Sequence, residues 1–203
     1  MRGPVDRLTE GLPKPWRVAI DWIVTIVGAV AIVLAIKAWV VNPYRIPSSS
    51  MEPTLHCARG ELDCEAKWSD RVLANRFKYH FVDPARGDIV VFQTPKPAQD
   101  RCGAGGTFVK RIIGLPGEIV TVEESTGAVL IDGKKLDESS YIERDQLAGQ
   151  ETGQWEVPKR QYFVMGDNRN QSCDSRQWGS LDRGNLIGEV FAVYWPPDRI
   201  GPR

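Results

Sequence analysis

Two histidines in 203 residues, His56 and His80, leave little material for a hydrolase that relies on a histidine base, and neither lies in a recognisable triad motif. His56 follows Ser50 by six residues and His80 sits in the basic-aromatic stretch Arg76-Phe77-Lys78-Tyr79-His80-Phe81, so both read as surface or capping residues. The chain has no Cys-x-x-Cys and no His-Glu-x-x-His, and the glycines at 103, 105 and 106 follow no strand signal. Those absences remove zinc, P-loop and dinucleotide sites as far as motifs can. A formal net charge of zero makes no electrostatic case for nucleic acid, whose binders carry a basic face. No internal repeat or low-complexity tract is evident.

What remains is ordinary in bulk, 42% hydrophobic and 26% charged, enough for one domain with a core plus a membrane element. In the first seventeen residues Arg2, Arg7, Lys14 and Arg17 outweigh Asp6 and Glu10, and prolines at 4, 13 and 15 discourage a long helix. Residues 1–17 therefore read as a flexible tail kept in the cytoplasm by its positive charge. Residues 18–41 are almost wholly apolar, with charges only at Asp21 and Lys37; as a helix they would span roughly 36 Å, enough to cross a hydrocarbon core of about 30 Å. Asp21 is one turn from Arg17, Lys37 can snorkel outward, and Trp16, Trp22 and Trp39 fit an aromatic belt. A cleavable secretory signal is the competing reading, but the run is long for one and small residues are not spaced for cleavage. The expectation is one uncleaved transmembrane helix with residues 42–203 on the outer face.

The remainder reads as mostly β. Short apolar runs bounded by turn residues occur at Arg71–Asn75, Asp88–Phe92, Phe108–Ile113, Ile119–Val122, Val129–Ile131, Tyr162–Met165 and Ile187–Trp195. Asp132-Gly133 is a tight-turn signal. Lys96–Gly106, rich in Pro, Gly and Ala, reads as a mobile loop, and residues 137–160 as a polar excursion or small cap.

Chemistry concentrates in three blocks. The first is Ile46-Pro47-Ser48-Ser49-Ser50-Met51-Glu52-Pro53-Thr54-Leu55, just after the apolar run. A hydroxyl is a weak nucleophile until a base takes its proton, so these serines matter only if the chain supplies one. The candidate is Lys110, in Thr107-Phe108-Val109-Lys110-Arg111-Ile112-Ile113. An exposed lysine is protonated at neutral pH, whereas burial lowers its pKa and frees the amine. On a strand Phe108, Lys110 and Ile112 share a face, which surrounds the amine with apolar groups and sends Arg111 to the opposite side, able to pair with carboxylates. The third block, Gly166-Asp167-Asn168-Arg169-Asn170-Gln171-Ser172-Cys173-Asp174-Ser175-Arg176, is dense in polar groups able to orient the other two. Local chemistry leaves all three consecutive serines open as nucleophile.

Three blocks in this order resemble the signature boxes of bacterial type I signal peptidases, from the apolar segment to the C-terminus. The resemblance marks Ser50, which immediately precedes Met-x-Pro-Thr, as nucleophile and Lys110 as general base. It implies that Ser48 lends a hydroxyl to the oxyanion hole beside the Ser50 backbone N–H, that Ser172 orients the Lys110 amine, and that Asp174 and Arg176 form a supporting ion pair. It implies an antiparallel β catalytic domain, anchored in the cytoplasmic membrane by a single pass with its N-terminus inside. Such an enzyme cuts secretory preproteins after small residues at −1 and −3, through an acyl-enzyme and without metal or organic cofactor. Trp68, Phe77, Tyr79 and Phe81 are candidates for an exposed surface that meets membrane phospholipid. Two alternatives remain: another Ser/Lys protease of similar fold, such as a pilin-maturation or self-cleaving peptidase, and an anchored β module without catalysis. Four cysteines permit three pairings; a Cys57–Cys64 bridge across a short polar loop is the expected one, and the oxidation state of Cys173 bears on the third block.

Overall fold

The computed structural model describes residues 13–39, 41–60, 64, 66–103, 105–142 and 150–203. Helix α1 (Lys14–Trp39) carries Pro15 in its first turn, where the missing N–H is harmless. Its Lys14–Leu34 portion is long and apolar enough to cross a membrane by length and composition. Trp22, Ile23, Ile26 and Val27 are all exposed along it. The tail 1–12 and the side chains of Lys37 and Trp39 lie outside the described residues.

The second compact unit, Asn42–Arg203, is built on short strands. In chain order come β1 (Val41–Arg45), a 3-10 turn at Ser49–Met51, β2 (Arg71–Asn75), β3 (Ile89–Gln93), α2 (Lys96–Cys102), β4 (Thr107–Gly114), β5 (Ile119–Val122), β6 (Val129–Ile131), β7 (Lys134–Lys135) and β8 (Gly153–Glu156). They are followed by β9 (Gln161–Met165), α3 (Ser175–Trp178), β10 (Leu181–Asp182), β11 (Leu186–Trp195) and β12 (Gly201–Pro202). The larger sheet has the order β1-β2-β11-β3-β4-β9-β10, with β12 also on β11; the smaller is β7-β6-β5-β8. The fold is thus mostly antiparallel β with an N-terminal apolar helix, as the runs of the sequence imply.

Strand β3 explains why the larger sheet is covered on both faces. Its continuous run Ile89-Val90-Val91-Phe92 sends Ile89 and Val91 into a core with Met51, Leu55, Val72 and Val190, and Val90 and Phe92 into another with Ile112, Tyr162, Val164 and Leu181. A third core, with Ile113, Val120, Val129 and Phe163, joins the smaller sheet to β4 and β9. Between β6 and β7, Asp132 (φ 49°) and Gly133 (φ 76°) both occupy the left-handed region, as a two-residue hairpin turn of that hand requires.

Three stretches differ from expectation: residues 14–17, read as tail, already form the first turn of α1, where Pro15 is tolerated, and two others lie in the second unit. Lys96–Gly106 is not all loop: Pro97 fits a first helical turn, Lys96 Nζ reaches Asp100 at 3.0 Å, Ala98 is buried, and Gly103 at φ 64° caps the end of α2. A composition of breakers concealed a helix that is anchored at its two ends. The polar stretch 137–160 contributes β8, which pairs with β5 from Ile119↔Glu156 to Val122↔Gly153. Its four residues alternate too weakly to announce a strand, and β5 supplies the missing partner. Residues 143–149 lie outside the described residues.

Candidate active site

Ser50 sits in the 3-10 turn that follows extended Ser48, and its burial is a consequence of Met51 and Leu55 plugging into the first core. Ser48 is exposed and Ser49 buried; of the three serines, Ser50 is the one that Lys110 reaches. Lys110 lies on β4 opposite Val90 of β3, on the face that carries Phe108 and Ile112 into the second core. Its Nζ donates to Ser50 Oγ at 2.6 Å across 60 positions of sequence. Only 4% of Lys110 and 8% of Ser50 are exposed.

Burial strips water from the ammonium and lowers the Lys110 pKa to about 8, although the charges of Asp174 and Asp167 push it the other way. The Phe108 ring, its centroid 5.7 Å from Nζ, forms part of this apolar setting. When the amine is neutral the same contact reverses, the Ser50 hydroxyl donating into the nitrogen lone pair. Ser48 Oγ lies 3.3 Å from Ser50 Oγ, near enough to share a developing charge.

The third block wraps behind the dyad. Asp174 caps α3 and is held as a carboxylate: burial opposes its charge, but Arg176 (2.7 and 2.8 Å), the Gly166 N–H (3.0 Å) and the Ser172 hydroxyl (2.7 Å) together lower its pKa. The Ser172 hydroxyl thus donates its hydrogen bond to Asp174, so the partner this structure shows for it is the carboxylate and not the Lys110 amine. Gly166 has no room for a side chain, because a Cβ there would meet Ser172 and the Ser50 carbonyl. The Asn168 N–H donates to that same carbonyl at 3.2 Å, tying the turn to the backbone of Ser50.

Arg111, on the opposite side of β4 as its alternation requires, pairs with buried Asp167 at 2.6 and 2.8 Å. Arg169, 1% exposed, is satisfied by Glu138 and by the Gly166 carbonyl. Glu138 was invisible to sequence reasoning, since it lies in a polar stretch with no motif, 31 residues from its partner. His56 pairs with Glu52 and His80 with the Arg76 carbonyl, so neither histidine serves Ser50. Among the described residues no group of three or more His, Cys, Asp or Glu is placed to hold a metal ion.

An open cleft of about 470 Å³ runs past the dyad, between Tyr44–Met51 on one side and Thr107–Lys110 on the other. Cys102 and Cys173 also line it and are joined to each other; the second disulfide is the expected Cys57–Cys64. A buried alcohol, a proton acceptor in bonding reach and a groove bounded by extended backbone suit acyl transfer on a polypeptide.

The family profile described as "Signal peptidase, peptidase S26" matches residues 19–195. The chain is 42% identical to a probable signal peptidase I-2 of Synechocystis sp. over 87% of this chain and 73% of that one. It is 38% identical to a signal peptidase I of Leptolyngbya laminosa over 93% and 86%, and 33% identical to signal peptidase I P of Bacillus subtilis subsp. natto over 89% and 91%. A signal peptidase I structure from Enterococcus faecalis V583 aligns with a TM-score of 0.43 at 28% identity, covering 54% of this chain and 97% of that one.

Proposed function

The chain belongs to the signal peptidase family, peptidase S26, and from that premise we propose that Ser50 and Lys110 are the nucleophile and general base with which this serine endopeptidase removes signal peptides from secreted preproteins. The observation that carries the assignment is the 2.6 Å contact between two buried groups, one of them an amine with a pKa of about 8. Ser50 Oγ attacks the scissile carbonyl as Lys110 takes its proton. The oxyanion is met by the Ser50 N–H and the Ser48 hydroxyl. Lys110 returns the proton to the leaving amine, leaving an ester on Ser50, and then activates the water that hydrolyses it. Ser172, Asp174 and Arg176 hold the pocket in shape. The cleft accepts an extended segment, and small residues at −1 and −3 are the substrate preference that we assign to it.

We assign residues 1–17, the last four of which already belong to helix α1, to the inner side, the rest of that helix to the single membrane span and 42–203 to the catalytic unit on the outer face of the cytoplasmic membrane. Trp68, Phe77 and Phe81 are each at least half exposed and are the side chains offered to phospholipid. Tyr79 is not among them, being buried with its hydroxyl on Asp88 at 3.0 Å. The test is cleavage of a preprotein by membranes carrying the parent, Ser50→Ala or Lys110→Met. Both variants should be inactive; either one cutting at the parental rate removes the dyad.

A further inference from the structure

The cleft wall contains one covalent crosslink. Cys102 ends α2, Cys173 lies between Ser172 and Asp174, and their Cα atoms are 5.9 Å apart across 71 positions of sequence. Both are half-buried and line the cleft; in the other disulfide Cys57 is fully buried and Cys64 half-buried, and neither lines the cleft. A small dithiol therefore meets the Cys102–Cys173 bond at the mouth of the site.

Each end of this bond holds something that the chemistry needs. Besides the crosslink, helix α2 is held by Ala98 in the second core, by packing against α3 and by Gln99 Nε2 donating to the Thr94 carbonyl at 2.8 Å, and its C-terminal side runs into Gly103, Gly105 and Gly106. Gly103 and Gly106 have φ of 64° and 95°, backbone that glycine adopts freely; the Gly103 N–H donates to the Gln99 carbonyl at 3.0 Å and the Gly106 carbonyl accepts from the Thr94 N–H at 2.9 Å. At the other end, the two residues flanking Cys173 are those that bind each other and the Gly166 N–H behind Lys110.

We propose that the Cys102–Cys173 disulfide is a positioning element of the peptidase: it holds α2 as a wall of the substrate cleft and fixes the backbone of Ser172 and Asp174, so that full-rate cleavage requires this bond closed. The inference rests on the Ser50/Lys110 reading. Opening is a thiol–disulfide exchange in which a dithiol attacks one sulfur and its second thiol resolves the mixed disulfide. The protein gains two electrons and two protons as Cys102 and Cys173 thiols, and the reductant leaves as its cyclic disulfide. Loosening of the wall weakens substrate binding, and displacement of the supporting backbone slows the chemistry. Misplacement by about 1 Å is enough to lower a rate on the order of a hundredfold.

The test uses the full chain and a preprotein substrate, comparing the parent with Cys102→Ala/Cys173→Ala, and following Cys57→Ala/Cys64→Ala before and after dithiothreitol and again after reoxidation. The expected result is a rise in KM together with a fall in kcat, on the order of tenfold to a hundredfold in kcat/KM, for the first double variant and for the reduced form of the second, with recovery on reoxidation. Parental kcat and KM in both would overturn the proposal. Hydrogen exchange in a Ser50→Ala background supplies a readout free of activity: amides of 96–107 and 166–176 should exchange faster once the bond is opened, and unchanged protection in both segments would also overturn it. If the parent itself fails to cleave, the dyad assignment falls, while the exchange result still decides whether the crosslink orders the cleft.

Discussion

Replacing Lys110 by methionine should destroy activity and yet stabilise the protein. In the unfolded chain the amine has its ordinary pKa of 10.5, and in the folded protein burial lowers it to about 8. At 1.36 kcal/mol per unit, keeping the ammonium buried at neutral pH disfavours the fold by roughly 3 kcal/mol. Methionine fills similar space without a charge and removes that penalty. It also deletes the bond to Ser50, worth about 1 kcal/mol net, while Ser50 keeps Ser48 as a neighbour at 3.3 Å. The expected gain at pH 7 is about 2 kcal/mol. Its sign with pH follows from linkage: between about 8 and 10.5 the unfolded state binds a proton that the folded state does not, so the parent gains stability as pH rises through that window. Below it both states of the parent are charged and the penalty is fully present; above it both are neutral and the penalty is gone. Denaturant unfolding of the detergent-solubilised full chain, followed by tryptophan fluorescence at several pH values, measures the difference. A variant no more stable than the parent at pH 7, or an advantage that stays constant from pH 7 to 10.5, would refute the account of a charge-hostile pocket.

The same amine sets the pH dependence of cleavage: kcat/KM should rise with pH to a plateau with a midpoint near 8, because the free base is the working form, and a midpoint at or below 6 would point to another group. Gly166→Ala places a methyl against Ser172 and the Ser50 carbonyl; thermal unfolding should show a loss of about 1 to 3 kcal/mol, and cleavage should fall even where the protein remains folded. His56→Ala removes the partner of Glu52 but nothing from Ser50, so cleavage should stay well above the 10²- to 10⁴-fold loss that deletion of a general base produces.

Much of this architecture was legible in the chain. Ile119–Val122 and Val129–Ile131 are strands with the bounds that their apolar runs suggest, and the alternation of Phe108, Lys110 and Ile112 correctly assigns the amine and the guanidinium of Arg111 to opposite faces. Other parts left no local trace. Helix α2 hid in a Pro- and Gly-rich stretch because its stability comes from Ala98 packing and a crosslink to a residue 71 positions away. Strand β8 forms because β5 offers it a ladder, not because Gly153–Glu156 prefers to be extended.

Sequence by itself determined the apolar helix, the strand inventory and the residue types of the site, because periodicity, turn chemistry and motif spacing act over a few neighbouring positions. Only the tertiary structure decided that Ser50 and Lys110 meet, that Ser172 serves Asp174, that Glu138 satisfies Arg169 and that Cys102 joins Cys173. The basicity of the amine belongs to this second group, since a pKa depends on how much water and charge surround the nitrogen, and that is set by side chains brought together from distant parts of the chain.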